Sequence, residues 1–464
     1  MSRYRLLLAV VSLAAACGGA SPAPTPAPRR VFPEGWTYPE HARRLVAPQA
    51  VVAAGSSIAS EVGRDILRQG GNAVDAAVAT GFAMAVVDPE AGNIGGGGFM
   101  LIRQASGEAF LLDYRERAPG GARRDMFIGP NGEPTDQSRI GHLAAGVPGS
   151  VAGMLEAHRR FGKLPLAALV EPAIRLAHDG FNLDSIRSAR IRSDSAKLVR
   201  FPASAQIFLP GGRVPAVGER LVQRDLARTL TAIRDRGTEG FYRGWVADSI
   251  AAEMQRGGGL ITLADLADYR PIWRDPVAAR YRGYTVLGAP PVSSGGVSMA
   301  LLLNMLQADG TLPPFGSAAM LHLYAESMRR SFVMRNRHVA DPAFHTVPLA
   351  WMLTTHVGDS LRRTIDPAHA TPTPTIVSPG TGSTTHYSVV DAEGMAVATT
   401  TTINDLYGCG VTVSGAGFLL NDEMDDFSTA PDRPNSWGLV QATPNEVEPG
   451  KRPLSNMTPT IVVD

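Results

Sequence analysis

Three features of the sequence predict an α+β fold. Apolar residues recur every three to four positions through most of the stretch 149–361 and in two earlier segments, the signature of packed amphipathic helices. Two pairs of alternating segments, 99–103 with 109–114 and 386–390 with 395–399, are joined by turn-forming residues and predict β-hairpins. A connector rich in Pro, Thr, Ser and Gly, from 367 to 383, separates the helical region from the second hairpin. With 464 residues, 44% hydrophobic content and net charge +1, the chain can bury a large core and has no charge bias toward nucleic acid or an anionic surface.

The N-terminus reads as an export signal over 1–17. Basic residues in Met1-Ser2-Arg3-Tyr4-Arg5 precede an apolar run and small residues that lead to Cys17. That run is shorter than the roughly 20 residues a membrane-spanning helix needs. Small residues before Cys17 are similar to a lipoprotein cleavage box, with Ala14 where leucine is commoner; an ordinary signal peptide cut nearby is the other reading. Residues 18–45 form a linker whose Ser21-Pro22-Ala23-Pro24-Thr25-Pro26-Ala27-Pro28 is a semi-rigid spacer. The expected location is outside the cytoplasm of a bacterium, periplasmic or anchored at the outer membrane. Apart from Cys17 the sequence holds only Cys409, so no intrachain disulfide is expected.

In chain order, 58–68 and 73–87 are predicted helices separated by Gly70-Gly71-Asn72. The glycine run 92–98 invites a phosphate-loop reading, but no Gly-Lys-Ser/Thr follows and the preceding element is helical, which excludes nucleotide binding. Arg115 ends the first hairpin; it is either a solvated strand terminus or a planar guanidinium placed to grip a carboxylate with two parallel hydrogen bonds. Further helices are expected at 151–160, 166–178, 224–236, 245–255, 297–306 and 318–335. His158, His178 and His322 fall on the helical stretch without metal-ligand spacing, and Pro290-Pro291-Val292-Ser293-Ser294-Gly295-Gly296 lacks the Gly-x-Ser-x-Gly elbow of a serine hydrolase.

The second hairpin offers a candidate nucleophile, although a Thr-rich β segment taken alone is ordinarily just a strand. Thr384 opens its first strand directly behind Ser378-Pro379-Gly380-Thr381-Gly382-Ser383. A threonine hydroxyl needs an adjacent base to act as a nucleophile, and its own α-amino group, titrating at about 7.7–8.0, can supply one once the preceding peptide bond is cut. Glycine next to it lets the backbone bend toward the strained geometry that self-cleavage requires. The connector 367–375 then reads as a mobile segment that withdraws after cleavage.

Thr384-Thr385-His386-Tyr387-Ser388, Thr399-Thr400-Thr401-Thr402-Ile403-Asn404, Leu419-Leu420-Asn421-Asp422-Glu423-Met424-Asp425-Asp426-Phe427 and Lys451-Arg452-Pro453-Leu454-Ser455-Asn456-Met457-Thr458-Pro459 together resemble the γ-glutamyltransferase (γ-glutamyltranspeptidase, glutathione hydrolase) family. The resemblance extends from about 51 to 464 and includes Asn72-Ala73-Val74-Asp75, the glycine run, Asp113-Tyr114-Arg115-Glu116 and Gly146-Val147-Pro148-Gly149. It implies an N-terminal-nucleophile hydrolase sandwich in αββα order with a helical region, cut before Thr384 into a large-subunit region, 46–383, and a partial small-subunit region, 384–464.

Carried over by position, Thr384 resembles the nucleophile and Thr402 the residue that orients it. Asn404, Glu423 and Asp426 would hold the substrate's α-ammonium, and Arg115, Ser455 and Asn456 its α-carboxylate. The implied reaction is γ-glutamyl transfer and hydrolysis on glutathione and other γ-glutamyl compounds, with water, amino acids or dipeptides as acceptors. No metal or organic cofactor is implied. The implied partners are small-molecule substrates and the two fragments of one precursor, with a membrane contact only through a lipid on Cys17 and no nucleic acid. Trp437 aligns with an aromatic residue that lies on a lid in many relatives; an ordinary core tryptophan is the other reading.

The sequence departs from the family's pattern in two places. Asn456 stands where a second serine is usual, and its amide can still donate a hydrogen bond. The family's oxyanion donors belong to a Gly-Gly pair downstream of the strand matching 459–463, and the sequence as written stops before one, so a C-terminally truncated, weakly folded and inactive product is expected. Two other readings were weighed: an acylase of the same fold acting on a glutaryl-β-lactam, and an inactive membrane-tethered binding protein.

Overall fold

The computed structural model describes residues 46–308, 310–372, 382–430 and 443–464. The export signal and linker (1–45), most of the connector before Thr384 (373–381) and Trp437 lie outside the described residues. The strands in chain order are β1 (Val51–Ala54), β2 (Gly97–Arg103), β3 (Ala109–Asp113), β4 (Phe181–Asn182), β5 (Arg220–Leu221), β6 (Ile272–Arg274), β7 (Val277–Tyr281), β8 (Tyr284–Gly288), β9 (Gly382–Val390), β10 (Ala396–Asp405) and β11 (Ile461–Val463). Six of them form an antiparallel sheet in the order β1-β9-β10-β2-β3-β6, and three form a second sheet, β11-β8-β7.

Side chains alternate across a strand, so each strand of the large sheet serves two cores. Met100, Ile102 and Leu112 pack into the cluster built around the helix Ala73–Val87. Their neighbours Phe99, Leu101 and Leu111 point the other way, against Leu287, Ala289 and Val292, and so fill the space between the two sheets. The outer face of the small sheet, through Val277 and Ala279, meets Val297, Ala300 and Leu301 of the helix Gly295–Gln307. The layers therefore run helix, sheet, sheet, helix, the αββα order that the resemblance implied.

Ala73–Val87 is buried along its whole length, which its Ala/Val composition permits and its capping enforces. Asn72 Oδ1 accepts from the Asp75 N–H at 3.0 Å and an Asp75 carboxylate oxygen accepts from the Asn72 N–H at 3.0 Å, a complete capping box. Asp391 Oδ2, in the turn between β9 and β10, accepts the Ala73 N–H at 2.9 Å. Asn72-Ala73-Val74-Asp75 is thus a structural motif that ties the N-terminal helices to the hairpin bearing Thr384.

Both hairpins form, with β2, β9 and β10 longer than the alternation alone marked and β3 one residue shorter, Arg103 lying opposite Ala109 and Val390 opposite Ala396. The reading of 149–361 as mostly helical is corrected at 272–288, where β6, β7 and β8 supply an edge of the large sheet and two strands of the small one. These strands are only three to five residues long, too short for a two-residue period to stand out. The helix Ser185–Leu198 was also unmarked, because its Arg- and Ser-rich sequence has little apolar stripe; Asp184 caps it by accepting from the Arg187 N–H at 2.8 Å.

The glycine run holds no ligand cradle. Gly96 N–H donates to Asn93 Oδ1 at 2.8 Å, Gly97 and Gly98 begin β2, and a Cβ on Gly96 would lie 2.2 Å from the Thr402 carbonyl oxygen. The run exists so that β2 can lie against β10. The three helix-region histidines are held by neighbours, His158 Nε2 lying 2.7 Å from Leu164 O and His322 Nε2 2.7 Å from Asp366 O, while His178 Nδ1 lies 2.9 Å from Asp179 Oδ1. Among the described residues no helix is long and apolar enough to cross a membrane.

Candidate active site

Alternation along β9 separates two functions. Thr385, Tyr387 and Val389 turn inward and are buried, while Thr384 and His386 point to the opposite face, where Thr384 is exposed. The register places Thr384 opposite Thr402 and His386 opposite Thr400. Thr384 Oγ1 donates to Thr402 Oγ1 at 3.3 Å, and Thr402 Oγ1 in turn accepts the Asn404 N–H at 2.8 Å.

Just after Thr402 the ladder slips: the pairing shifts before Asp405, and Asn404 adopts a left-handed backbone with φ of +73°. Asparagine tolerates that region better than most residues. Its Nδ2 donates to Asp422 O at 3.1 Å, and its Oδ1 is the atom that can accept a hydrogen bond from a ligand.

Arg115 ends the β3 hairpin and is fully buried. Its Nε donates to Pro453 O at 3.2 Å, Nη1 pairs with Glu423 Oε1, Nη2 pairs with Asp426 Oδ2, and Glu116 lies 3.5 Å from Nη1. The three residues expected at opposite poles of a zwitterion are thus gathered into one ion-pair cluster. Burial pushes the Glu423 carboxyl up to about 7 against the pull of Arg115, raises Asp426, and holds Glu116 well above the usual carboxylate range.

The fourth wall comes from the segment before β11. Ser455 forms a parallel bridge with Ser293, and its Oγ accepts the Met457 N–H at 3.1 Å. Asn456 Oδ1 accepts from Ser294 Oγ at 2.7 Å, which leaves its amide nitrogen as a donor. The serine-glycine stretch around Ser294 therefore supports the site without being a nucleophile elbow.

All eight residues singled out in the sequence, Arg115, Thr384, Thr402, Asn404, Glu423, Asp426, Ser455 and Asn456, line one cavity of about 290 Å³. Arg335, Thr400, Leu454 and Met457 complete the lining and were not anticipated. Arg335 lies near the end of the helix Ala318–His338, whose spacing reads only as packing, and nothing local in the sequence marks it.

A threonine near the start of a strand in an αββα sandwich, facing a cleft with charges of both signs, defines the N-terminal-nucleophile hydrolase class. Within that class the chain belongs to the gamma-glutamyltranspeptidase family, whose profile matches residues 59–464. It is 44% identical over 426 residues to the glutathione hydrolase proenzyme of Escherichia coli (strain K12), covering 90% of this chain and 73% of that protein. Among solved structures it is similar to the gamma-glutamyltranspeptidase of Helicobacter pylori, with TM-score 0.67 and 38% identity over 71% of this chain and 95% of that one. It also resembles the cephalosporin acylase of Bacillus halodurans, with TM-score 0.80 and 28% identity over 93% of this chain and 78% of that one. The chain is an enzyme of the gamma-glutamyltransferase and glutathione hydrolase kind, and its fold is that of these relatives.

Proposed function

We propose that the enzyme acts on glutathione and other γ-glutamyl compounds through a γ-glutamyl ester on Thr384, after cleaving itself between Ser383 and Thr384 into fragments 46–383 and 384–464. The observation that carries this reading is that Thr384 and Thr402, with hydroxyls 3.3 Å apart, open on the same cavity as Arg115, Glu423 and Asp426. A γ-glutamyl head bears an ammonium and a carboxylate, so a site of buried carboxylates and guanidinium fits it.

Once freed, the Thr384 α-amine accepts the hydroxyl proton as Oγ1 attacks the γ-carbonyl, and returns it to the departing amine. Thr402 holds the attacking oxygen in place. Water or an acceptor amine then attacks the ester by the reverse sequence of proton transfers. Glu423, Asp426 and Asn404 Oδ1 receive the ammonium; Arg115, Ser455 and Asn456 receive the carboxylate.

The glutaryl-β-lactam acylase reading draws support from the likeness to the Bacillus halodurans cephalosporin acylase. A glutaryl group, however, has no ammonium, and Glu423 and Asp426, which line the cavity, would then face a ligand that offers them no cation beyond Arg115. Release of p-nitroaniline from γ-glutamyl-p-nitroanilide, compared with glutaryl-p-nitroanilide, decides between the two: a preference for the glutaryl compound would overturn the γ-glutamyl reading. We also place the enzyme outside the cytoplasm, by the signal at 1–17, with Cys17 as the site of lipid attachment. A palmitate-labelling experiment that leaves Cys17 unmodified would refute that attachment.

A further inference from the structure

The basic helix Ser185–Leu198 lines no part of the cavity, yet its last turn touches the backbone that shapes it. Beyond Asn404 the chain turns through residues 405–410, with left-handed backbone at Tyr407 (φ of +59°), Gly408 (+54°) and Gly410 (+81°) as well as at Asn404. A tyrosine in that region is strained, and such strain persists only where surrounding groups hold it. Two carbonyl oxygens of this turn, Leu406 O and Gly408 O, converge on one point, where their like partial charges would repel. The Lys197 ammonium occupies that point, donating to Leu406 O and, at 3.0 Å, to Gly408 O.

The lysine is held in this position. Its side chain is 12% exposed, with Asp194 Oδ1 lying 3.2 Å from the ammonium one turn back along the helix. A Cβ on Gly410 would lie 2.9 Å from Lys197 Cγ, so the lysine stem lies against the turn it serves. Three donors on one ammonium suffice for the two carbonyls and the carboxylate. The turn is directly connected to the chemistry: Leu406 follows Asn404 by two residues, the Asn404 N–H holds Thr402 Oγ1 at 2.8 Å, and Thr402 Oγ1 receives Thr384 Oγ1 at 3.3 Å.

We propose that Lys197 is a positioning residue for the reaction: by answering the two converging carbonyls it keeps the turn after Asn404 in its left-handed form, and so keeps Asn404 and Thr402 aligned with Thr384. The kinetic consequence rests on the γ-glutamyl reading above; the placement rests on the geometry of the turn. Asp405 has supports of its own, since its N–H donates to Asp422 Oδ1 at 3.0 Å and its carboxylate receives Arg139 Nε at 3.0 Å. Those contacts fix the entry to the turn. Lys197 fixes its exit, and the two together hold Asn404 against relaxation into an extended strand.

The test is hydrogen exchange read by mass spectrometry on the wild-type chain and on Lys197→Met, together with steady-state kinetics on γ-glutamyl-p-nitroanilide. Lys197→Met keeps most of the stem and removes the ammonium. Amides 404–410 should exchange about tenfold faster in the variant, while those of β9 and of the helix Ala73–Val87 keep their wild-type rates. In the same variant kcat should fall about tenfold, by a larger factor than KM rises, because the damage falls on the alignment of Thr384. Lys197→Arg, which retains a cation with displaced donors, should recover part of kcat. Asp194→Asn, which leaves both carbonyl contacts in place, should turn over at close to the wild-type rate. Wild-type exchange at 404–410 or wild-type kcat in Lys197→Met would overturn the proposal, showing that Asp422 and Arg139 suffice to hold the turn; a loss of kcat in Asp194→Asn equal to that in Lys197→Met would overturn it as well. If Lys197→Met does not fold, Lys197→Gln is read against the same criteria. Wild-type protein that does not turn over the γ-glutamyl compound counts against the γ-glutamyl reading, and the exchange comparison then decides the placement of Lys197 by itself.

Discussion

Thr384 and Thr402 face each other across adjacent antiparallel strands with their hydroxyl oxygens 3.3 Å apart. The Asn404 N–H fixes Thr402 Oγ1, so the orientation of Thr384 is set by the slip in the ladder two residues further along β10. Thr384→Ala should therefore remain a single chain on a denaturing gel and show no turnover, since on the proposed mechanism nucleophile and base are one residue. Thr402→Ala should keep the nucleophile but lose its alignment, lowering kcat about tenfold or more, with Thr402→Ser recovering much of the loss. N-terminal sequencing of the small wild-type fragment checks the premise; a terminus other than Thr384 sinks it.

On the proposed function, Asp426 bears on substrate affinity. Asp426→Ala should raise KM for γ-glutamyl-p-nitroanilide about ten- to a hundredfold, because a charge-assisted bond to a desolvated ammonium contributes about 1.5–3 kcal/mol. Cleavage before Thr384 should be intact in this variant. An unchanged KM would favour the glutaryl acylase reading.

Glu423 sets a pH dependence. Burial holds its proton up to about 7, and on the proposed function the ammonium is bound best by the ionised form. Donor affinity should then improve about tenfold between pH about 6 and about 8, as the carboxylate forms, and Glu423→Gln should lose that slope. Stability moves in the opposite sense. A carboxyl that keeps its proton more tightly in the fold than in the unfolded chain contributes stability at low pH, and that contribution is lost as pH rises from the ordinary glutamate range through about 7. A KM that stays flat across this interval would show that Glu423 is already ionised or does not meet the substrate.

The close approach of β2 to β10 gives a packing test. A Cβ on Gly96 would meet the Thr402 carbonyl oxygen at 2.2 Å and Ile403 Cγ2 at 2.7 Å, so Gly96→Ala should destabilise the protein by about 1–3 kcal/mol and displace Thr402. Gly121→Ala, whose nearest neighbour would be Leu260 Cδ2 at 3.6 Å, is the control and should unfold at the wild-type temperature. Equal unfolding temperatures for the two variants would show that β2 can shift freely.

The hairpin around Thr384 was legible because alternation and turn chemistry are local, and the long helices were legible for the same reason. β6 to β8 were not, since strands of three to five residues carry little periodic signal and are defined by the sheet partners they find. The eight cavity residues came from motif resemblance; the chemistry of single residues would not have assembled them. Arg115 meets Glu423 and Asp426 across more than three hundred positions, and Asn404 depends on a left-handed turn that no alternation encodes. Arg335 reaches the cavity only through the packing of its helix.

The strand order β1-β9-β10-β2 interleaves segments from both sides of Thr384. A cut at Ser383 would not separate two bodies. The small fragment's hairpin would remain clasped between β1 and β2, with Asp391 still capping the helix at Ala73. Release would demand tearing two backbone ladders out of a shared interior. On the proposed cleavage, folding would come first and scission second, with the uncut precursor as its own template, and fragments produced separately would face a search that the single chain avoids.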